Sequence, residues 1–226
     1  MNYPARNFLG ITTAVLAAIS LRATPVTVQE VGTGAGTDVY ITSSTLGSNL
    51  HVFAGVIDLK INGSATNTQG FCIDPWHYSV STTQNYQLVS LDAGPLLPDN
   101  MGTDAARQIE ELWNHFYTSG ITNTDAAALQ IEIWKIVDLG VSGGTFSLVS
   151  ASSSVLSAIT TMNTWLTGID PNGTTANLVA VTKLDSRGVG QDYVIPNVPD
   201  GGTTVALVGL ALIGLLAFRR KFRTAL

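Results

Sequence analysis

Charge is scarce in this sequence. Asp, Glu, Lys and Arg make up 12% of its 226 residues, about half the usual quarter. A single cysteine, Cys72, excludes an internal disulfide framework and a cysteine-based zinc cluster. The three histidines are scattered, with no metal-ligand spacing. A net charge of −5 excludes a basic nucleic-acid binder. With 45% hydrophobic residues in frequent periodic runs, the chain is not an acidic disordered tail. Its length suits one compact domain, two at most.

The charge that is present is segregated. Arg6 and Arg22 lie near the start, and Arg219, Arg220, Lys221 and Arg223 lie in the last eight residues. The body from Thr24 to Pro199 holds 15 acidic residues against five basic ones, a net of −10. Both ends therefore read as addresses. Residues 1–23 form a short segment with one Arg, an apolar stretch FLGITTAVLAAISL and small residues after it, the pattern of a signal peptide. Cleavage is expected after Ala23, or after Ser20 with Ala18 at the −3 position. At the other end, residues 203–218 form an uncharged apolar run, slightly short for a bilayer span, that reads as a transmembrane sorting helix and is followed at once by the basic cluster. That cluster is expected to stay cytoplasmic and to place the body outside.

Val198, Pro199, Asp200 and Gly201, then the apolar run, then Arg-Arg-Lys, resemble the PEP-CTERM sorting signal in its VPD-type variant. The resemblance covers residues 198–226. It implies processing by an exosortase near Val198–Gly201, a membrane-anchored precursor, and a cell-surface or extracellular fate for a bacterial protein. Asp200 stands where the PEP form has Glu.

The body, residues 24–197, reads as α+β: an antiparallel β barrel or sandwich with a helical insert over about 101–168. Val39 and Ile41 share a face of one short run, HVFAGVIDLKI runs into an Asn62-Gly63 turn, and FCIDPWHYSV and YQLVSLD follow. Pro75 ends the Cys72 strand or places it at an edge. In the insert, Thr103 and Thr124 are the expected helix caps, Gly120 and Gly140 the stops, and a third helix spans about Ser152–Thr167. Strands return at ANLVAVTK and QDYVIP.

Two residues stand out. Gln130 falls with Ile133, Trp134 and Val137 on one helical face, with Glu132, Lys135 and Asp138 away from it. That places a carboxamide toward the core, where an unpartnered amide costs about 1–3 kcal/mol. Cys72 is a lone thiol in an apolar strand of a chain expected to be exported, where unpaired thiols are a liability. An internal thioester between the Cys72 sulfur and the Gln130 carbonyl resolves both, although spacing alone does not dictate it.

FCIDP together with ALQIEIWKI resembles the Cys–Gln thioester domain of bacterial surface adhesins, over about Leu50–Val181. The resemblance implies that Cys72 and Gln130 are the bond partners, framed by Phe71, Ile73 and Asp74 on one side and Ile133 and Trp134 on the other. Leu129 replaces the family's common Thr, and Glu132 its common Ala. The implied chemistry is covalent capture of a lysine amine on a surface or matrix partner, a single event rather than enzymatic turnover, with no cofactor or metal and no nucleic acid. Trp134, Trp76 and Phe71 are candidate lid aromatics, and His77 a candidate for proton transfer or else a surface residue at the strand end. Two other readings stay open. One is a structural, exopolysaccharide-associated surface protein, with Cys72 a small buried hydrophobe and Gln130 hydrogen-bonded. The other is a cysteine hydrolase using Cys72 with His77 or His115.

Overall fold

The computed structural model describes residues 23–95, 99–142, 145–169, 175–183 and 190–197. The expected signal peptide, the sorting segment Val198–Gly201 and the apolar run 203–218 lie outside them. Among the described residues, no helix is long and apolar enough to cross a membrane.

Among the described residues, the body has seven strands and three α-helices, in the order β1 (Thr24–Ser43), β2 (Gly47–Ile61), β3 (Thr68–Cys72), β4 (Gln84–Ser90), α1 (Gly102–Phe116), α2 (Asn123–Gly140), β5 (Phe146–Ser150), α3 (Ser153–Leu166), β6 (Leu178–Lys183) and β7 (Tyr193–Pro196). All strand pairs are antiparallel. The pairings run β2-β3-β7-β6-β4-β1-β5, and β1 also pairs with β2. The α+β expectation therefore holds, but a regular barrel does not form. Strand β1 meets β4 through Thr24–Val28 and β2 through Val28–Ser43, so it changes partner part-way along. Its pairing with β2 also shifts register three times. The result is a strongly bent sheet.

The bend has a local cause. Gly36 of β1 lies opposite Gly55 of β2 at one of the shifts. Gly55 has φ +154°, and a Cβ there would lie 2.3 Å from the Ala35 carbonyl oxygen. Only a residue without a Cβ lets the two backbones approach this closely.

Alternation along the strands builds two cores. Leu178 and Ala180 of β6 and Val194 of β7 join the main core with the helices. Val179, Val181, Tyr193 and Ile195 face the other way and meet Val28, Leu59 and Tyr86 in a second core made by strands alone. Burial on both faces explains why Leu178–Val181 is a continuous apolar run rather than an alternating one.

Helix α2 is the centre of the main core, packed against β1, β2, α1 and α3. Ala126, Ala127 and Ala128 let it sit close to its neighbours, and every residue from Ala126 to Trp134 is buried. The expected one-faced stripe is thus corrected: Glu132, expected to lie away from the apolar face, is 1% exposed. Its carboxylate accepts from Lys135 Nζ at 2.8 Å and from Asn163 Nδ2 of α3 at 3.3 Å. The insert is not wholly helical either, because β5 lies between α2 and α3 and pairs with β1. Caps differ in detail. Thr122, not Thr124, accepts from Asp125 N–H at the start of α2, and Met101 precedes α1 without a side-chain cap. Ser152 caps α3 through Val155 N–H as its position requires. Helix α1 ends at Phe116, before Gly120.

Candidate functional site

Cys72 is the last residue of β3, paired with Tyr193 of β7. Pro75 follows closely, and the chain leaves the sheet there. The strand end points its main chain at the middle of α2. Gln130 Oε1 accepts from Cys72 N–H at 2.9 Å, and Gln130 Nε2 donates to Cys72 C=O at 2.7 Å. The main chain fixes which way the carboxamide is turned, since an N–H must meet oxygen and a carbonyl must meet the NH2. Gln130 is 1% exposed and Cys72 2%. The two residues that stand out in the sequence are thus brought together, 58 positions apart in the chain.

The sulfur has its own partners. Sγ–H donates to the Asp74 carbonyl, and Asp74 N–H donates to Sγ, both at 3.3 Å. Burial pushes the Cys72 thiol far above its ordinary range, and the negative charge of Asp74 pushes it further. The nearby Trp134 indole and the Asp74 main chain pull weakly the other way. Burial and the Asp74 charge both favour the neutral thiol over a thiolate.

The framing residues are all buried. Phe71 packs edge-on to Trp113 at 5.3 Å and to Tyr117 at 5.9 Å. Ile73 is fully buried, and its N–H donates to the Asp192 carbonyl at 3.0 Å. Ile133 is fully buried, and Trp134 packs on Phe146 at 5.5 Å. Trp76 is 1% exposed, so the three aromatics singled out as lids are core residues that keep water from the pair.

His77 is turned to a carboxylate. Its Nδ1 lies 2.7 and 2.9 Å from the two oxygens of Asp74, which is itself buried and accepts from Trp76 N–H at 3.2 Å. The hydrogen bond to Asp74 raises the His77 pKa against the opposing effect of burial. His115 stacks on Trp165 at 4.5 Å, on the α1–α3 side of the helical layer. The hydrolase reading thus finds its cysteine bonded to main chain and both candidate bases engaged elsewhere. Asp192, whose carbonyl holds Ile73 and whose carboxylate accepts from Lys183 N–H at 2.8 Å, was not legible as part of this site. It precedes β7 and carries no motif.

Among the described residues, no three His, Cys, Asp or Glu side chains gather as metal ligands. What the arrangement does hold is a buried carboxamide and a buried thiol side by side in the fold. Cys72 N–H polarises the Gln130 carbonyl as an oxyanion donor would, and a thiol sits on the same residue.

Fold and site together define an antiparallel α+β domain with a buried Cys–Gln pair at a strand end. At the C-terminus, residues 197–222 match the VPDSG-CTERM motif. In this chain the motif's named residues read Val198-Pro199-Asp200-Gly201-Gly202, with Gly201 in the place of Ser. That match supports the reading of the C-terminal segment as a sorting signal of PEP-CTERM type, consistent with an exported precursor processed by an exosortase. No curated protein matches the chain. Among solved structures, the chain is similar to the N-terminal domain of the Streptococcus pyogenes pilus tip adhesin Cpa, at 16% identity and a TM-score of 0.41, over 74% of this chain and 98% of that one.

Proposed function

We propose that this is an exported, exosortase-sorted surface protein in which Cys72 and Gln130 form an internal thioester that captures an amine on a partner. The observation that carries the reading is the two-point pairing of the Gln130 carboxamide with the Cys72 main chain in a water-excluded core. In bond formation, Cys72 sulfur attacks the Gln130 side-chain carbonyl carbon. The carbonyl oxygen takes up charge toward Cys72 N–H, the C–N bond breaks, and the thiol proton leaves with the NH2 as ammonia. In capture, a partner's lysine nitrogen bonds to that carbon, the C–S bond breaks, and the amine's proton ends on sulfur. Burial protects the activated acyl group from hydrolysis until a partner docks. The event happens once per molecule, so this is not an enzyme. The C-terminal helix would hold the precursor in the membrane until exosortase cleavage releases the body to the surface or matrix.

One observation favours a second reading. The Gln130 amide is satisfied on both sides and the thiol has main-chain partners, so the pair also works as an uncleaved tether between α2 and β3. That is the structural surface protein without a thioester. Intact mass separates the two. The thioester form weighs one ammonia less than its sequence, and methylamine adds covalently at Gln130 while freeing Cys72 for alkylation. A full sequence mass, with no methylamine adduct, leaves the structural reading.

A further inference from the structure

Departure of sulfur is the difficult half of capture at this site. As the C–S bond breaks, negative charge gathers on Sγ, in a pocket that disfavours it through burial and through the Asp74 carboxylate. Asp74 holds the sulfur through its main chain and confronts it with a buried charge.

That charge has one titratable companion in direct contact. His77 Nδ1 touches both Asp74 oxygens, and the imidazole is 19% exposed where the carboxylate is 3% exposed. The pair therefore links the sulfur's neighbour to the surface. Among the described residues, three charged side chains bear on the imidazole: Asp74, Asp192 just before β7, and Lys183 at the end of β6. The two carboxylates favour the imidazolium and Lys183 opposes it. Tyr86 lies among the same groups, but burial raises its phenol, so it stays neutral.

We propose that His77 is a positioning residue for amine capture, whose positive charge offsets Asp74 so that the Cys72 sulfur can leave, making capture fall as His77 loses its proton. The inference rests on the thioester reading. Protonated His77 leaves a net-neutral pair beside Sγ. Deprotonated His77 leaves the full Asp74 charge beside a developing thiolate, and like charges in a buried site slow the step.

The test uses the full chain and hydroxylamine, a weakly basic amine that stays largely uncharged near neutrality. Covalent capture is timed by intact mass between about pH 5.5 and 8.5, a span that brackets a raised histidine. The wild-type rate, corrected for the free amine, is expected to fall about tenfold across the His77 titration, the size of a one-unit electrostatic effect. His77→Gln should run at the low plateau with no such fall. His77→Lys, which keeps the charge, should stay fast across the range. A wild-type rate that is flat or rising, in protein that shows the ammonia deficit, overturns the inference and leaves the thioester standing. A wild type with full sequence mass removes the thioester reading and this inference together. If a variant fails to fold, the wild-type profile alone decides.

Discussion

The side-chain amide of Gln130 and the main chain of Cys72 pair at two points, Gln130 Oε1 accepting at 2.9 Å and Cys72 C=O at 2.7 Å. A helix is thereby bonded to a strand end as if it supplied a further half-strand. The β2–β3 ladder reaches only Gly70, so α2 takes the place of a strand beside Cys72.

Where the Gln130 amide is intact, Gln130→Ala should be costly for stability. It leaves a buried N–H and a buried C=O without partners, at about 1–3 kcal/mol for each orphaned group. Urea unfolding measures it. A loss below about 0.5 kcal/mol, the size of a neutral surface change, would mean that the pairing contributes little.

Trp134→Ala should destabilise by about 3–5 kcal/mol, as removal of a core tryptophan does. Lys135→Ala should cost less, because Lys135 is 40% exposed and its ion pair is partly screened. It should still cost something, since the Glu132 carboxylate it contacts is buried. Equal losses in the two variants would contradict the packing of α2.

The Asp74–His77 pair should also show in stability. The folded protein raises the His77 pKa above its ordinary value, so it binds the proton more tightly than the unfolded chain. The resulting stabilisation is fully present below about pH 6.5 and is lost as pH rises through the raised pKa. The stability gap between wild type and His77→Gln should therefore shrink between about pH 6 and pH 8.5. Denaturant midpoints at both pH values give the answer, and a constant gap would mean that the contact carries no proton linkage.

The motif over residues 197–222 predicts processing. In an exosortase-positive host, the mature C-terminus should lie near Val198–Gly201, and Pro199→Ala should slow its appearance. Mass mapping of the secreted or surface form provides the measurement. A mature chain that retains Arg219–Leu226 would contradict the sorting reading.

Local signals made some elements readable. The β2 run ends at the Asn62-Gly63 turn, where both residues have positive φ, and α3 starts at Ser153, beside the expected Ser152. Other features depend on tertiary placement. Strand β1 reads as two short runs because Gly32, Gly34 and Gly36 interrupt its pattern, yet it is one strand held by different neighbours at its two ends. Strand β5 has only five residues, and its partner, β1, lies more than a hundred positions back. Glu132 was placed outside because a helical wheel assumes one buried face, whereas α2 is enclosed by helices as well as sheet. Cys72 and Gln130 were legible as a lone thiol and a misplaced amide. The role of Asp74 was not, since only the folded turn shows its main chain on the sulfur and its carboxylate on His77.

The short β3–β7 ladder also sets how this domain would carry a mechanical load. Cys72 pairs with Tyr193 and Phe71 with Val194, and the chain runs on from β7 toward its C-terminal segment. A pull applied at residue 72 and at the chain beyond Asn197 acts on the C-terminal ends of two antiparallel strands, which lie at opposite ends of the pair. Such a pull shears the ladder and loads its bonds together instead of peeling them one by one. Strand β6 grips the other side of β7 over four residue pairs, so the same force is shared with a second ladder. That sheet path begins at Cys72; a partner captured on Gln130 loads α2 first, so the helix has to hold as well as the ladder.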